Sequence, residues 1–253
     1  MTHTIETQLL GLFLLFCRIG GCMLFAPGLS SPRVPMHVRL FAALAVTVAV
    51  APMLMPGTFP DLSRGSDDRR LWLILSESLV GVMIGLLARC FFLALQFAAT
   101  AISNFVGLSG IPGIPLEESD TGSPLSTLVS TASVTLIFAM GLHLELLRAV
   151  IDSYAVMPLG NWIGAGSLLT NLLTTLAETW LLALRLAAPF LLYGVMVNVA
   201  LGIGNRFAQQ ISVYHATTGA VMLGGFLLFY IVWVDWAMVF TGSYQAWLRD
   251  GGF

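Results

Sequence analysis

Residues 71–106 read LWLILSESLVGVMIGLLARCFFLALQFAATAISNFV. The only formal charges in this stretch are Glu77 and Arg89, and it holds no proline. As a single helix it would extend roughly 54 Å at 1.5 Å per residue. A bilayer's hydrocarbon core is only about 30 Å thick. The segment therefore has to tilt strongly, project beyond the membrane, or bend near Arg89.

Working outward, five further apolar runs appear: Leu9–Ala26, Leu40–Met55, Leu125–Leu147, Leu172–Ala200 and Gly219–Phe240. About 20 apolar residues span a bilayer, so the first two are short. The run from Leu172 carries Pro189 near its middle, where a kink is expected. Of the 253 residues, 57% are hydrophobic and 9% charged, against roughly 25% charged in soluble domains. The mean hydropathy is +0.89. The expected fold is an all-α membrane protein with about six hydrophobic helical segments, some bent or hairpin-like. They form one polytopic domain over residues 1–253. Lysine is absent and the net charge is −2, so no basic footprint points to nucleic acid. Cys17, Cys22 and Cys90 form no CxxC motif and read as small apolar side chains. Residues 1–8 lack Arg and Lys, and Arg18 interrupts the run that follows, so a retained first helix is expected rather than a cleaved signal.

Five of the six runs contain ionisable residues: Arg18, Glu77, Arg89, Glu145, Glu178, Arg185 and Asp235. Each costs roughly 2.5–3.5 kcal/mol at mid-bilayer, so seven without partners would cost on the order of 20 kcal/mol. A whole domain is stable by only about 5–15 kcal/mol. Each charge therefore requires a partner, a wet cavity or a helix end. Glu145 and Arg148 are spaced i, i+3 and can pair directly. Glu178 and Arg185 share a helix face two turns apart, and Glu77, Glu178 and Asp235 have no second acid one turn away. A proton path and structural contacts to other subunits both remain open on this pattern, with structural contacts favoured. Arginines also divide weakly between the two sides, with Arg33, Arg39 and Arg206 against Arg64, Arg69, Arg70, Arg148 and Arg249.

Ser78, Gly81, Gly85 and Ala88 lie on one helix face, a spacing that lets another backbone approach closely. Gly107-Leu-Ser109-Gly110 matches the GxSG motif of rhomboid intramembrane proteases, with His143 or His215 as candidate base. Ser109 is however followed by Ile111-Pro112-Gly113-Ile114-Pro115, not by a helix, and the match is short. No HExxH, GxSxG or P-loop is present, and no catalytic, cofactor-binding or metal-ligating set is expected. Ile111–Leu116 is too apolar for free solvent and too proline-rich for a helix. Irregular backbone at membrane depth is tolerated only inside protein or beside a water-filled cavity. A packed surface loop and a re-entrant segment obstructing a pore are the two possibilities.

Taken together these residues resemble the FliR family, the R subunit of the flagellar type III export gate. The likeness begins with Arg18-Ile19-Gly20-Gly21, Ala26-Pro27, Val34-Pro35, Arg39 and Ala51-Pro52. It continues through Glu77-Ser78-Leu79-Val80-Gly81, Gly85-Leu86-Leu87-Ala88-Arg89 and Gly107-Leu108-Ser109. Gly141 and His143, Pro189, Asn198-Val199-Ala200-Leu201-Gly202 and Arg206 complete it. It departs where the family has Asp-Pro after the Gly107 region and proline shortly after Arg206. The resemblance implies a non-enzymatic subunit of a helical hetero-oligomeric gate in the bacterial inner membrane, at the flagellar basal body. It implies P and Q subunits as partners, a wrapping membrane subunit of the B type, and unfolded export substrates in transit. It places a pore plug at about 107–119, with Gly107, Gly110, Ile111, Pro112, Gly113, Ile114 and Pro115 as its candidates. Arg18, Arg39, Glu77, Gly81, Gly85, Arg89, Glu178, Arg185 and Arg206 become candidate subunit contacts. The injectisome counterpart shares this fold and role. An intramembrane serine protease using Ser109 and a small proton-coupled transporter are the remoter alternatives.

Overall fold

A computed structural model describes residues 2–31, 34–58, 66–107, 124–160, 165–207 and 213–251. Among these, seven helices follow in order: α1 Thr2–Phe25, α2 Met36–Thr58, α3 Asp67–Val106, α4 Pro124–Ala139, α5 Leu142–Val156, α6 Ala165–Phe207 and α7 Val213–Arg249. No strand occurs among the described residues. Five helices are long and apolar enough to cross a membrane, and the bent pair α4–α5 makes a sixth candidate. The chain is an all-α, multi-pass membrane protein.

Local chemistry sets the helix ends. The Ser66 carbonyl accepts the first bond of α3, from the Arg70 amide. Asp67 and Asp68 place negative charge at that positive helix end. At the other end Gly107 takes φ +79°, the left-handed conformation that closes helices and that only glycine adopts cheaply. Between these stops α3 is one helix of 40 residues, with no break at Arg89. α6 likewise runs uninterrupted through Pro189 for 43 residues.

One expectation changes. The run Leu125–Leu147 is not one helix: α4 and α5 are bent by 67° at a break around Gly141, whose φ is +71°. The helices also reach past the ends of the apolar runs, since α5 continues to Val156, α6 begins at Ala165 and ends at Phe207, and α7 begins at Val213. Hydropathy marks where side chains leave water, whereas backbone hydrogen bonding continues until a cap or a glycine stops it.

The chain divides into two compact units. The first comprises residues 1–91, 138–176 and 244–253. Its core sets Leu14 of α1 against Leu73 of α3, and Leu15 of α1 with Ala51 of α2 and Tyr154 of α5. Phe91 meets Tyr244 edge-on at 5.6 Å and Trp247 at 5.2 Å. The second comprises residues 92–137 and 177–243. Along α7 the rings of Phe229, Trp233, Trp236 and Phe240 follow one another, and Phe229 meets Phe190 of α6. Glycines bring its helices close: a Cβ at Gly225 would collide with Val106, and one at Gly194 would come within 2.8 Å of the Phe105 ring.

Candidate functional site

In the first unit α1 and α3 cross with their backbones almost touching. A Cβ on Gly81 would strike the carbonyl oxygen of Arg18, and one on Gly85 would lie 2.5 Å from that of Cys22. From the other side, a Cβ on Gly21 would lie 2.9 Å from the Ser78 carbonyl. Small residues thus meet on both helices, the packing that substitutes for the hydrophobic drive inside a membrane.

That crossing brings Arg18 to Glu77. Arg18 Nε donates to Glu77 Oε2 at 2.7 Å, and Nη2 donates to Oε1 at 2.9 Å, a bidentate pair. Nη1 donates to Ser153 Oγ at 3.0 Å, and Nη2 also to the Met157 carbonyl at 3.1 Å. Ser153 Oγ in turn donates a hydrogen bond to the Val150 carbonyl at 2.6 Å. Tyr154 donates its hydroxyl to Glu77 Oε2 at 3.2 Å and lays its ring 3.7 Å from the guanidinium carbon. Arg18 and Glu77 are each only 1% exposed. Three helices, α1, α3 and α5, are thereby tied by one enclosed polar cluster.

Within the chain Arg18 and Glu77 are each other's partner, and both are buried. Gly81 and Gly85 admit α1 of the same chain. Arg39 is turned onto the connection before α2, donating to the Ser31 carbonyl at 2.5 Å and to Val34 at 2.9 Å. Glu145 pairs not with Arg148 but with Arg249 of α7, at 2.9 Å, and accepts from Gln245 at 2.9 Å. Helical spacing allowed the nearer arginine, but the α5–α7 packing supplies a pair of donors.

The remaining charges behave differently. Arg89 is half-buried, while Glu178, Arg185, Arg206 and Asp235 are exposed. Among the described residues none of these five makes a hydrogen bond or an ion pair. Glu178, Arg185 and Asp235 sit among exposed apolar side chains, such as Leu181, Leu192, Tyr230, Ile231 and Met238. An ionised group on such a surface is not solvated by lipid, and no described residue matches it.

Of the candidate plug only Gly107 lies within the described residues, as the stop of α3; Gly110, Ile111, Pro112, Gly113, Ile114 and Pro115 lie outside them. Ser109 and the side chain of His215 lie outside them too. His143, the other candidate base, stacks on Phe138 at 4.9 Å, and its Nδ1 is buried without a hydrogen bond. The sequence reasoning missed Gly21, Ser153 and Tyr154 as parts of the Arg18 cluster. Gly20-Gly21, one turn from Arg18, carried the available signal: a small-residue patch needs a facing one, and Gly81-xxx-Gly85 was already visible.

A family model described as bacterial export proteins, family 1, matches residues 9–247. The flagellar biosynthetic protein FliR of Caulobacter vibrioides is 25% identical over 234 residues, covering 92% of each chain. The protein of the same name from Escherichia coli K12 is 28% identical over 193 residues, 75% of this chain and 71% of that one. The Yop proteins translocation protein T of Yersinia pestis is 29% identical over 148 residues, 56% of this chain and 55% of that one.

Proposed function

Because this chain belongs to family 1 of the bacterial export proteins, we propose that it is a subunit of the flagellar type III export gate in the bacterial inner membrane. The observation that carries this is likeness along nearly the whole length of a flagellar biosynthetic protein. The likeness to a Yop translocation protein extends over less of the chain, which favours the flagellar apparatus over the injectisome. The role is that of channel wall rather than catalyst, and unfolded flagellar proteins pass through the assembly. P and Q subunits pack beside the chain, and a B-type membrane subunit wraps the gate.

The exposed charges support a hetero-oligomer, since Glu178, Arg185 and Arg206 lie on the apolar helix α6 without partners among the described residues. The segment 107–119 serves as the plug that closes the pore at rest. Mild-detergent purification of the tagged chain, with mass spectrometry of what accompanies it, tests the assembly: P and Q subunits are expected, and a lone monomer sinks the proposal. For the plug, removal of residues 110–115 is expected to leave the gate assembled and the inner membrane leaky to small solutes. Unchanged permeability in an assembled gate removes that role from the segment.

A further inference from the structure

The charges on α6 are not scattered. Glu178, Arg185, Leu192, Val199 and Arg206 fall at steps of seven residues, and all five are exposed. Between them Leu181, Ala188, Val195 and Gly202, also exposed, continue the alternation of three and four. This is a heptad seam four repeats long, and every charge occupies the same heptad position. Its inner positions shrink to Ala188 and Gly202, where a facing side chain has room; a Cβ on Gly202 would meet nothing within 4 Å. The opposite stripe, including Ala183, Leu186 and Phe190, is buried in the second unit's own core. A seven-residue period drifts about 20° per repeat on a helix, so a partner following it wraps left-handed at a crossing of about 20°.

Lipid alone does not account for this face. At 43 residues α6 is roughly 64 Å long, about twice the hydrocarbon thickness. Its exposed side is apolar from Leu169 to Ile203. If the bilayer spans the stretch between Arg185 and Arg206, then exposed Leu169, Leu173, Leu176 and Leu181 stand outside hydrocarbon and require protein cover. If it spans the earlier stretch, Glu178 and Arg185 lie in hydrocarbon and require opposite charges. On the seam itself, the first placement leaves Leu181 to be covered by protein, and the second leaves Glu178 and Arg185 to be matched.

The charges also say which protein it is. A second copy lying parallel would set Glu178 against Glu178 and Arg185 against Arg185, and an antiparallel copy would have to be inverted in the membrane. We infer that the seam on α6, residues 178–206, docks one apolar helix of a different, sister subunit. That helix carries a Lys or Arg facing Glu178 and an Asp or Glu one heptad along facing Arg185. This rests on the export-gate reading and names the chemistry of one of its partners.

The test is a photo-crosslinking scan of α6 in the intact membrane complex, with a photoreactive residue at each position from 178 to 199. Adducts with one and the same sister subunit are expected to peak at 181, 188 and 195. Glu178→Arg and Arg185→Glu are each expected to lower recovery of that subunit by about tenfold or more, at unchanged levels of this chain in membranes. Reversing the charge of the partner residue facing the altered position is expected to restore recovery. Adducts at those positions with lipid alone or with a second copy, or a scan without the heptad period, overturn the seam while leaving the export gate standing. If the unaltered chain brings down no sister subunit at all, the export-gate reading falls and the seam falls with it.

Discussion

Arg18 on α1 and Arg185 on α6 look alike in sequence: each is one arginine in a long apolar run. In the folded chain they are opposites. Arg18 is 1% exposed, with a bidentate carboxylate, a hydroxyl, a backbone carbonyl and a tyrosine ring around it. Arg185 is exposed on an apolar face and has no partner among the described residues. One charge is matched within the chain, and on the proposed reading a sister subunit matches the other. An intramembrane charge is thus not one kind of signal. Whether it serves folding or assembly depends on whether the same chain brings a counter-charge to it across a helix crossing.

The strongest way to break this contrast is to remove half of the buried pair. Glu77→Ala leaves a guanidinium enclosed and unbalanced, with an expected loss of about 3–5 kcal/mol. The chain should disappear from membranes, or melt far earlier in detergent, even when expressed alone. Replacing both partners with apolar residues, Arg18→Met with Glu77→Leu, should recover much of that loss. No recovery would mean that the ion pair itself, rather than mere neutrality, is required.

Gly81→Val comes next. Its Cβ meets a backbone carbonyl rather than a flexible side chain, so α1 must move away from α3. Overpacking of this kind costs about 1–3 kcal/mol or more, and a cysteine pair across α1 and α3 should crosslink less efficiently. Tyr154→Phe keeps the ring under Arg18 and deletes the bond to Glu77. A hydrogen bond to a charged group contributes roughly 1.5–3 kcal/mol, and at 3.2 Å the lower end is expected in thermal melts. The smallest effect belongs to the other side of the comparison. Glu178→Gln and Arg185→Gln should shift the stability of the isolated chain by no more than about 0.5 kcal/mol. A large loss for either in the absence of sister subunits would show that these charges serve the fold after all.

The number and character of the helices were legible because an apolar run in a chain with 9% charged residues has few other fates. The over-long third run was legible too, and α3 is indeed a single helix. The fold at Gly141 was not, since nothing in Phe138–His143 breaks the apolar pattern and a left-handed glycine is a backbone event. Nor was the partner of Arg18. Spacing rules compare residues on one helix, whereas Glu77 lies 59 residues away and Ser153 lies 135 away. The small faces of α1 and α3 were each visible, but their mutual fit is a property of two surfaces. For the exposed seam the converse holds. The period from Glu178 to Arg206 was written in the sequence, but it became informative only once the opposite stripe proved buried.

The distance along the chain between Arg18 and Glu77 also sets a timetable. Synthesis proceeds at about 5–20 residues per second, and 59 residues separate the two. The first helix therefore reaches the membrane with its cation unmatched for roughly 3–12 s before the carboxylate emerges. Ser153 and Met157 arrive later still. An unmatched arginine at mid-bilayer costs roughly 2.5–3.5 kcal/mol, so over that interval α1 would sit in the membrane less firmly than it does in the finished chain. The ion pair thus ties the settling of the first helix to the arrival of the third.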